Sequence, residues 1–264
     1  MKPYVTIIGD HLVHITANSA SFLLFLKEHF PPTLSEQERK PDLVIRIEGG
    51  YGEKFQNYNV QTFAQGDIKY FQRSDYLIEA NQDYSCATIS VHDDLALKHA
   101  LMNLYSSFIV HHNWGLMIHS SCAIGKEGLA HLFAGHSGDG KSTVAALSRP
   151  RTILSDEATL VRINNGQPTI YNSPFRSDSN AMEAIEAGPI PLASIQILRQ
   201  AVKNHRTKTS KADAFLQLTD KIFYWRHSSE NLGALFSLLR MLIGKVPVYE
   251  LHFQKNDSFW ELIS

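Results

Sequence analysis

Residues 135–142 read Gly-His-Ser-Gly-Asp-Gly-Lys-Ser and match the pattern G-x-x-x-x-G-K-[ST] at every fixed position. Residues of these types at this spacing can cradle a polyphosphate. The glycines let backbone N–H groups approach the oxygens closely. Lys141 brings a mobile positive charge for the outer phosphates, and Ser142 a hydroxyl suited to Mg²⁺. The expected ligand is therefore ATP with Mg²⁺, contacted by Gly135, His136, Ser137, Gly138, Asp139, Gly140, Lys141, Ser142 and Thr143. The flanks agree. Leu129–Ala134 is a short apolar run suited to a buried strand, and Thr143–Ser148 continues with helical spacing until Pro150. A strand feeding such a loop and then a helix aims N–H groups and a positive helix end at one point.

Fifteen positions beyond Lys141, the run Thr152-Ile-Leu-Ser ends on Asp156 and Glu157. A carboxylate at a strand end beside such a loop can hold Mg²⁺ through its water shell or take a proton. Glu157, with Ser142, is the candidate metal contact, and Asp156 the candidate base. His119 enters by register. With Gly125–Gly128 as a four-residue loop, Ile124 pairs with Leu129 and His119 stands opposite Ala134, just before the glycine-rich loop. An imidazole there could share a proton with Asp156. Arg176, in the turn Asn172–Asp178, is a candidate clamp on phosphate charge. The basic stretch Arg199–Lys211 reads as a loop that could guide an acidic substrate. His11, His14, His111 and His112 lack the partners of a metal site, and the Trp225 and Trp260 neighbourhoods read as core.

These groups need elements to hold them. Residues 1–93 read as closely spaced strands with one early helix, Ser19–Phe30, a polar loop over Leu34–Lys40 and a turn at Gly9-Asp10. Asp93-Asp94 then opens an apolar helix to about Val110, with acidic residues suited to its start. Strands follow around Leu116–Ile124, Leu129–Ala134, Thr152–Ile163, Thr169–Asn172, Ala193–Leu198 and Pro247–Phe253. Helices are expected over Asp213–Leu218, Asn231–Ile243 and Phe259–Ile263. The fold class is α/β, with a β-rich N-terminal subdomain over 1–93 and a P-loop domain over 94–264. A formal net charge of −1 argues against a nucleic-acid surface. Two cysteines, Cys86 and Cys122, are too few for a disulfide framework, which fits a reducing cytoplasm. No run is long and apolar enough to span a membrane.

Taken together, Ile118-His119-Ser120, the glycine-rich loop and Leu154-Ser-Asp-Glu157 resemble the catalytic domain of HPr kinase/phosphorylase. The likeness covers roughly 95–263, including the ending Val246–Phe253 and Phe259–Ile263. It implies a P-loop on a fold related to phosphoenolpyruvate carboxykinase and phosphate transfer to a serine. It places His119 and Asp156 in proton handling, Lys141 on phosphate, and Ser142 and Glu157 toward magnesium. The compact layout is most similar to the HPr-kinase-like proteins that accompany lasso-peptide biosynthesis. Those phosphorylate a serine at or near the precursor's C-terminus, so a peptide is the expected partner. Assembly into a homo-oligomer is left open. The rival readings are a kinase for a carrier protein, a small-molecule kinase, and a nucleotide-binding module without catalysis.

Overall fold

Alternating burial defines the strands of the first part of the chain. In Leu43–Gly49, Leu43, Ile45 and Ile47 are buried while Val44 and Arg46 face outward, the period of two that a half-buried sheet requires. The computed structural model describes residues 2–33, 39–177, 188–224 and 229–263, so Trp225 and most of the loop expected at Leu34–Lys40 lie outside it. The architecture is mixed α/β with two mixed sheets.

The first sheet runs β1 (Tyr4–Ile8), β2 (His11–Ala17), β3 (Leu43–Gly49), β7 (Cys86–Val91), β6 (Tyr76–Ala80), β5 (Ile68–Arg73) and β4 (Gln61–Gln65) in spatial order. Two helices accompany it, α1 (Ala20–His29) and α2 (Asp94–His111). The Asp93 side chain caps α2 by accepting from Ala96 N at 2.9 Å, which satisfies one of the helix's unpaired N–H groups. Thirteen of the eighteen residues of α2 are buried, and Tyr105 Oη donates to Ile8 O at 2.7 Å. The helix therefore belongs to the first compact unit, residues 1–112 with 224–232, and not to the second. The boundary expected at 93/94 moves to 112/113 because the apolar helix is needed to cover the first sheet.

The second unit, residues 113–223 and 233–264, contains β8 (Gly115–Ile124), β9 (Ala130–Ala134), α3 (Lys141–Leu147), β10 (Ile153–Ser155), β11 (Ala158–Arg162), β12 (Thr169–Tyr171), β13 (Ile190–Gln200), β14 (His205–Lys208), α4 (Lys211–Thr219) and β15 (Val248–Phe253). A further helix, α5 (Ser229–Lys245), precedes β15, and a 3₁₀ turn over Asp257–Leu262 follows it. Two long strands are shared. β8 pairs with β11 through its first half and with β9 and β10 through its second. β13 pairs with β12, then in parallel with β9 and β15. In consequence β8, β11, β12, β13 and β9 close into a ring. The stretch expected as a basic loop over Arg199–Lys211 instead supplies the end of β13 and all of β14, whose pairing to β15 stacks Arg206 on Tyr249 at 3.6 Å.

The register between β8 and β9 differs by one residue from the expectation. Ile124 pairs with Ala130 and Ser120 with Ala134. Leu129 stays in the turn because Gly128, at φ +76°, closes a five-residue loop in which Gly125 N donates to Leu129 O at 2.8 Å. His119 consequently pairs with Ala158 of β11. It projects to the opposite face of β8 from Ala134, because side chains alternate along a strand.

β10 and β11 lie along the same edge of β8, separated only by Asp156 and Glu157. A cluster of wholly buried hydroxyls holds this break. Ser120 Oγ donates to Thr159 Oγ1 at 2.7 Å, Ser155 Oγ bonds the same Thr159 oxygen, and Thr159 Oγ1 is 3.3 Å from Ser120 O. Thr159→Val keeps the shape but leaves two buried hydroxyls short of a partner. It should lower unfolding free energy by about 1–2 kcal/mol in urea titrations, a loss Thr159→Ser largely avoids.

Candidate active site

The parallel strands β9, β13 and β15 direct their carboxyl ends to one side, where open α/β sheets place their ligands. The glycine-rich loop follows Ala134 at the end of β9. Gln200 stands at the end of β13, and Lys255 lies two residues past β15. All three meet in one cavity of about 460 Å³. Its walls are Ser137, Gly138, Gly140, Lys141, Ser142 and Thr143 from the loop and α3, Asp156 and Glu157 from the break between β10 and β11, and His119 from β8. Ser177, Gln200 and Lys255 complete it.

The loop is folded against its own backbone and the core. Asp139 accepts from His136 N at 2.6 Å, and Gln200 Nε2 donates to Gly138 O at 2.6 Å. Gly140 is fixed by two constraints. Its φ is +105°, and a Cβ there would lie 2.6 Å from the Phe253 ring, so any side chain would meet both strain and a clash. Phe253 belongs to the cluster with Phe133, Val144, Leu198, Phe259 and Trp260 that anchors α3 and the 3₁₀ turn. Gly135 is buried, and a Cβ on it would come 2.7 Å from Asp139 Cβ. Gly135, His136 and Asp139 therefore shape the loop from behind its lining.

Lys141 is buried and donates to His136 O at 2.7 Å. Burial lowers its pKa, Asp139 and Glu157 act to raise it, and Lys221 lowers it further. Asp156 is oriented by Ser177, whose N donates to Oδ1 at 3.1 Å and whose Oγ donates to Oδ2 at 2.5 Å. Ser120 N donates to Glu157 O at 3.1 Å, which pins the acidic pair to the middle of β8. His119 is held on its other edge, its N donating to Lys221 O at 2.7 Å, with Phe223 packed on its ring at 5.2 Å. Burial, then Lys141, His136 and Lys221, depress the His119 pKa to about 4, against a smaller opposing effect of Asp139. At neutral pH the imidazole is thus uncharged. Among the described residues no three His, Cys, Asp or Glu side chains gather to hold a metal by themselves. Asp156, Glu157 and the Ser142 hydroxyl nevertheless offer the oxygen donors that Mg²⁺ takes when phosphates supply the rest.

One expected site residue is placed elsewhere. Arg176 is 2 % exposed, and its guanidinium donates to Ser173 O at 3.1 Å, Ile153 O at 2.9 Å, Leu154 O at 3.2 Å and Asn172 Oδ1 at 2.7 Å. Ile153 and Leu154 belong to β10 while Asn172 and Ser173 follow β12, so Arg176 ties these two segments together and is not a clamp on phosphate. Ser177, Gln200 and Lys255 line the cavity without belonging to any motif in the sequence. The end-of-strand position of Gln200 and Lys255 on parallel partners of β9 is the signal that could have found them, but it depends on knowing the strand order.

Arg176→Ala should cost about 2–3 kcal/mol of stability, because it strips charge-assisted bonds from several buried carbonyls; chemical denaturation measures this. His119 gives a pH signature. Between pH 6.5 and about 4 the unfolded chain binds a proton at His119 that the folded chain refuses, so stability falls as pH falls through that window. On acidification from about pH 7 to 4.5, the melting temperature of His119→Gln should therefore drop less than that of the wild type. No protein-family model matches this chain and no curated protein matches it, so the case for function rests on this geometry.

Proposed function

We propose that this chain is an ATP- and Mg²⁺-dependent kinase of the HPr-kinase-like type that phosphorylates a serine hydroxyl of a peptide, such as the C-terminal serine of a lasso-peptide precursor. One observation carries the reading: a glycine-rich loop with Lys141 and Ser142 shares a single cavity with an acidic pair and a neutral histidine. Loop N–H groups and Lys141 suit the phosphates of ATP, and Ser142 with Glu157 suits Mg²⁺. When bound, that ion would neutralise charge on the phosphate oxygens. Asp156, oriented by Ser177, lies where it can accept the hydroxyl proton, with His119 as a second acceptor. Phosphoryl transfer asks little covalent chemistry of a protein; positioning and charge neutralisation do most of the work. A module that only binds nucleotide needs no proton acceptor beside the loop, and this favours transfer.

The test is incubation of a serine-terminated peptide with the protein and Mg-ATP, followed by mass spectrometry. A phosphoserine at the terminal residue is expected. Phosphate on an internal serine of a folded carrier, or on a small metabolite, would replace the peptide reading while keeping the kinase. Lys141→Ala should abolish transfer while the melting temperature stays within a few degrees of wild type. Asp156→Asn should lower the rate by about 10²–10⁴-fold with little change in ATP affinity. An equal loss of affinity and rate would make Asp156 a metal contact only.

A further inference from the structure

A second cavity, of about 640 Å³, lies in the same unit and shares no lining residue with the first. His131 and Ser194 are both 3 % exposed and both reach its wall, with Glu127, Arg206 and Tyr249 beside them. The sheet brings the first two together. His131 of β9 and Ser194 of β13 are direct partners, and the register shifts on β13 just before Ser194, as it does where a bulge re-aims a side chain. Glu127 arrives from the turn that precedes β9. Gln196 shares a face with Ser194, two residues further along the strand.

Arg206, Gln196, Ser194, His131 and Glu127 form one chain of hydrogen bonds whose direction is decided at both ends. Arg206 Nε can only donate, and it lies 3.0 Å from Gln196 Oε1. That fixes the amide, so Gln196 Nε2 donates to Ser194 Oγ at 2.7 Å. At the far end the Glu127 carboxylate accepts from His131 Nε2. Burial acts to raise the Glu127 pKa, but bonds from its own backbone N–H and from His131 outweigh it and hold the carboxyl below its ordinary value. Burial also lowers the His131 pKa, against the opposing pull of Glu127, so the ring is neutral with its proton on Nε2. Nδ1 is left to accept, and Ser194 Oγ donates to it at 2.8 Å. The edge-on contact with Trp260, at 5.7 Å, holds the imidazole in this orientation.

We propose that Ser194, His131 and Glu127 are the nucleophile, base and orienting carboxylate of a second active site, which hydrolyses a small carboxylic ester independently of the nucleotide site. The two ring nitrogens are exchanged relative to the serine-protease arrangement, but the roles follow from the partners and not from the atom names. Ser194 Oγ bonds the acyl carbon as its proton passes to His131 Nδ1, and the imidazolium then gives that proton to the departing alkoxide. Water next attacks the acyl carbon, its proton returns through Nδ1 to Ser194, and the carboxylic acid leaves. Arg206 Nη2 stands 3.4 Å from Ser194 Oγ, a long bond that a developing oxyanion takes over. Arg206 is fixed for this by Gln196 and by its stacking on Tyr249. Pro247, Tyr249 and Ile263 give the cavity an apolar side for the acyl group.

The experiment treats the full chain, without nucleotide and with a metal chelator, with a fluorophosphonate probe and separately with p-nitrophenyl acetate. Mass spectrometry should find the phosphonyl group on Ser194. Ester hydrolysis should fall by at least about 10²-fold in Ser194→Ala and in His131→Gln, and by about tenfold in Glu127→Gln. Because the assay holds neither ATP nor Mg²⁺, its outcome does not depend on the nucleotide reading. Should Ser194→Ala not fold, the label on the wild-type chain and its rate in Glu127→Gln, whose side chain is partly exposed, still decide. Absence of label from Ser194 would overturn the proposal. So would ester hydrolysis that persists in a folded Ser194→Ala, or a label that forms on Ser194 as fast in Glu127→Gln as in wild type.

Discussion

Halfway along β8 the backbone changes partners. Residues 120–124 pair with β9, residues 115–119 pair with β11, and the bond from Ser120 N to Glu157 O marks the crossing. This single exchange sets the rest of the site. It gives β9 a free carboxyl end from which the glycine-rich loop departs. It also interrupts the opposite edge, so that Asp156 and Glu157 lie between β10 and β11 in the same cavity as that loop. A continuous strand in place of β10 and β11 would send the two carboxylates to opposite faces. The buried hydroxyls of Ser120, Ser155 and Thr159 hold the break in place, since three polar side chains with no access to water must satisfy one another.

The charge balance of the cavity follows from that placement. Lys141, Lys221 and His136 lie on the loop side, and Asp156 and Glu157 on the broken edge. Burial, reinforced by the positive charge of Lys141 nearby, leaves no room for another positive charge, so His119 is kept neutral. Glu157 and Asp139 partly offset the effect on Lys141 itself. A polyphosphate with a divalent cation is the kind of ligand that complements both sides at once.

Much of this was legible in the sequence where one residue type admits few conformations. The loop is an example: Gly140, with its positive φ against Phe253, leaves little choice, and the strand before it and helix after it follow from apolar spacing. The acidic pair was legible for the same reason, because only one helix and one short connection fit between Lys141 and Asp156. Pairing across longer separations was not. The slip at Leu129 came from a left-handed Gly128, a turn choice that residue identity permits but does not dictate. Arg176 carries the same charge whether it faces phosphate or carbonyls, and only the meeting of β10 with the segment after β12 decides between them. The apolar character of α2 does not say which sheet it covers; its packing places it in the first unit. Gln200 and Lys255 enter the site through strand order, which leaves no local mark.

In the proposed site the loop and the acidic pair act together on a metal-bound nucleotide. This is tested most directly by measuring ATP affinity with Mg²⁺ and with a chelator, in wild type and in Glu157→Gln. Magnesium should tighten ATP binding at least about tenfold in wild type, and this gain should largely disappear in Glu157→Gln while metal-free binding is unchanged. Equal affinity with and without magnesium in the wild type would contradict it.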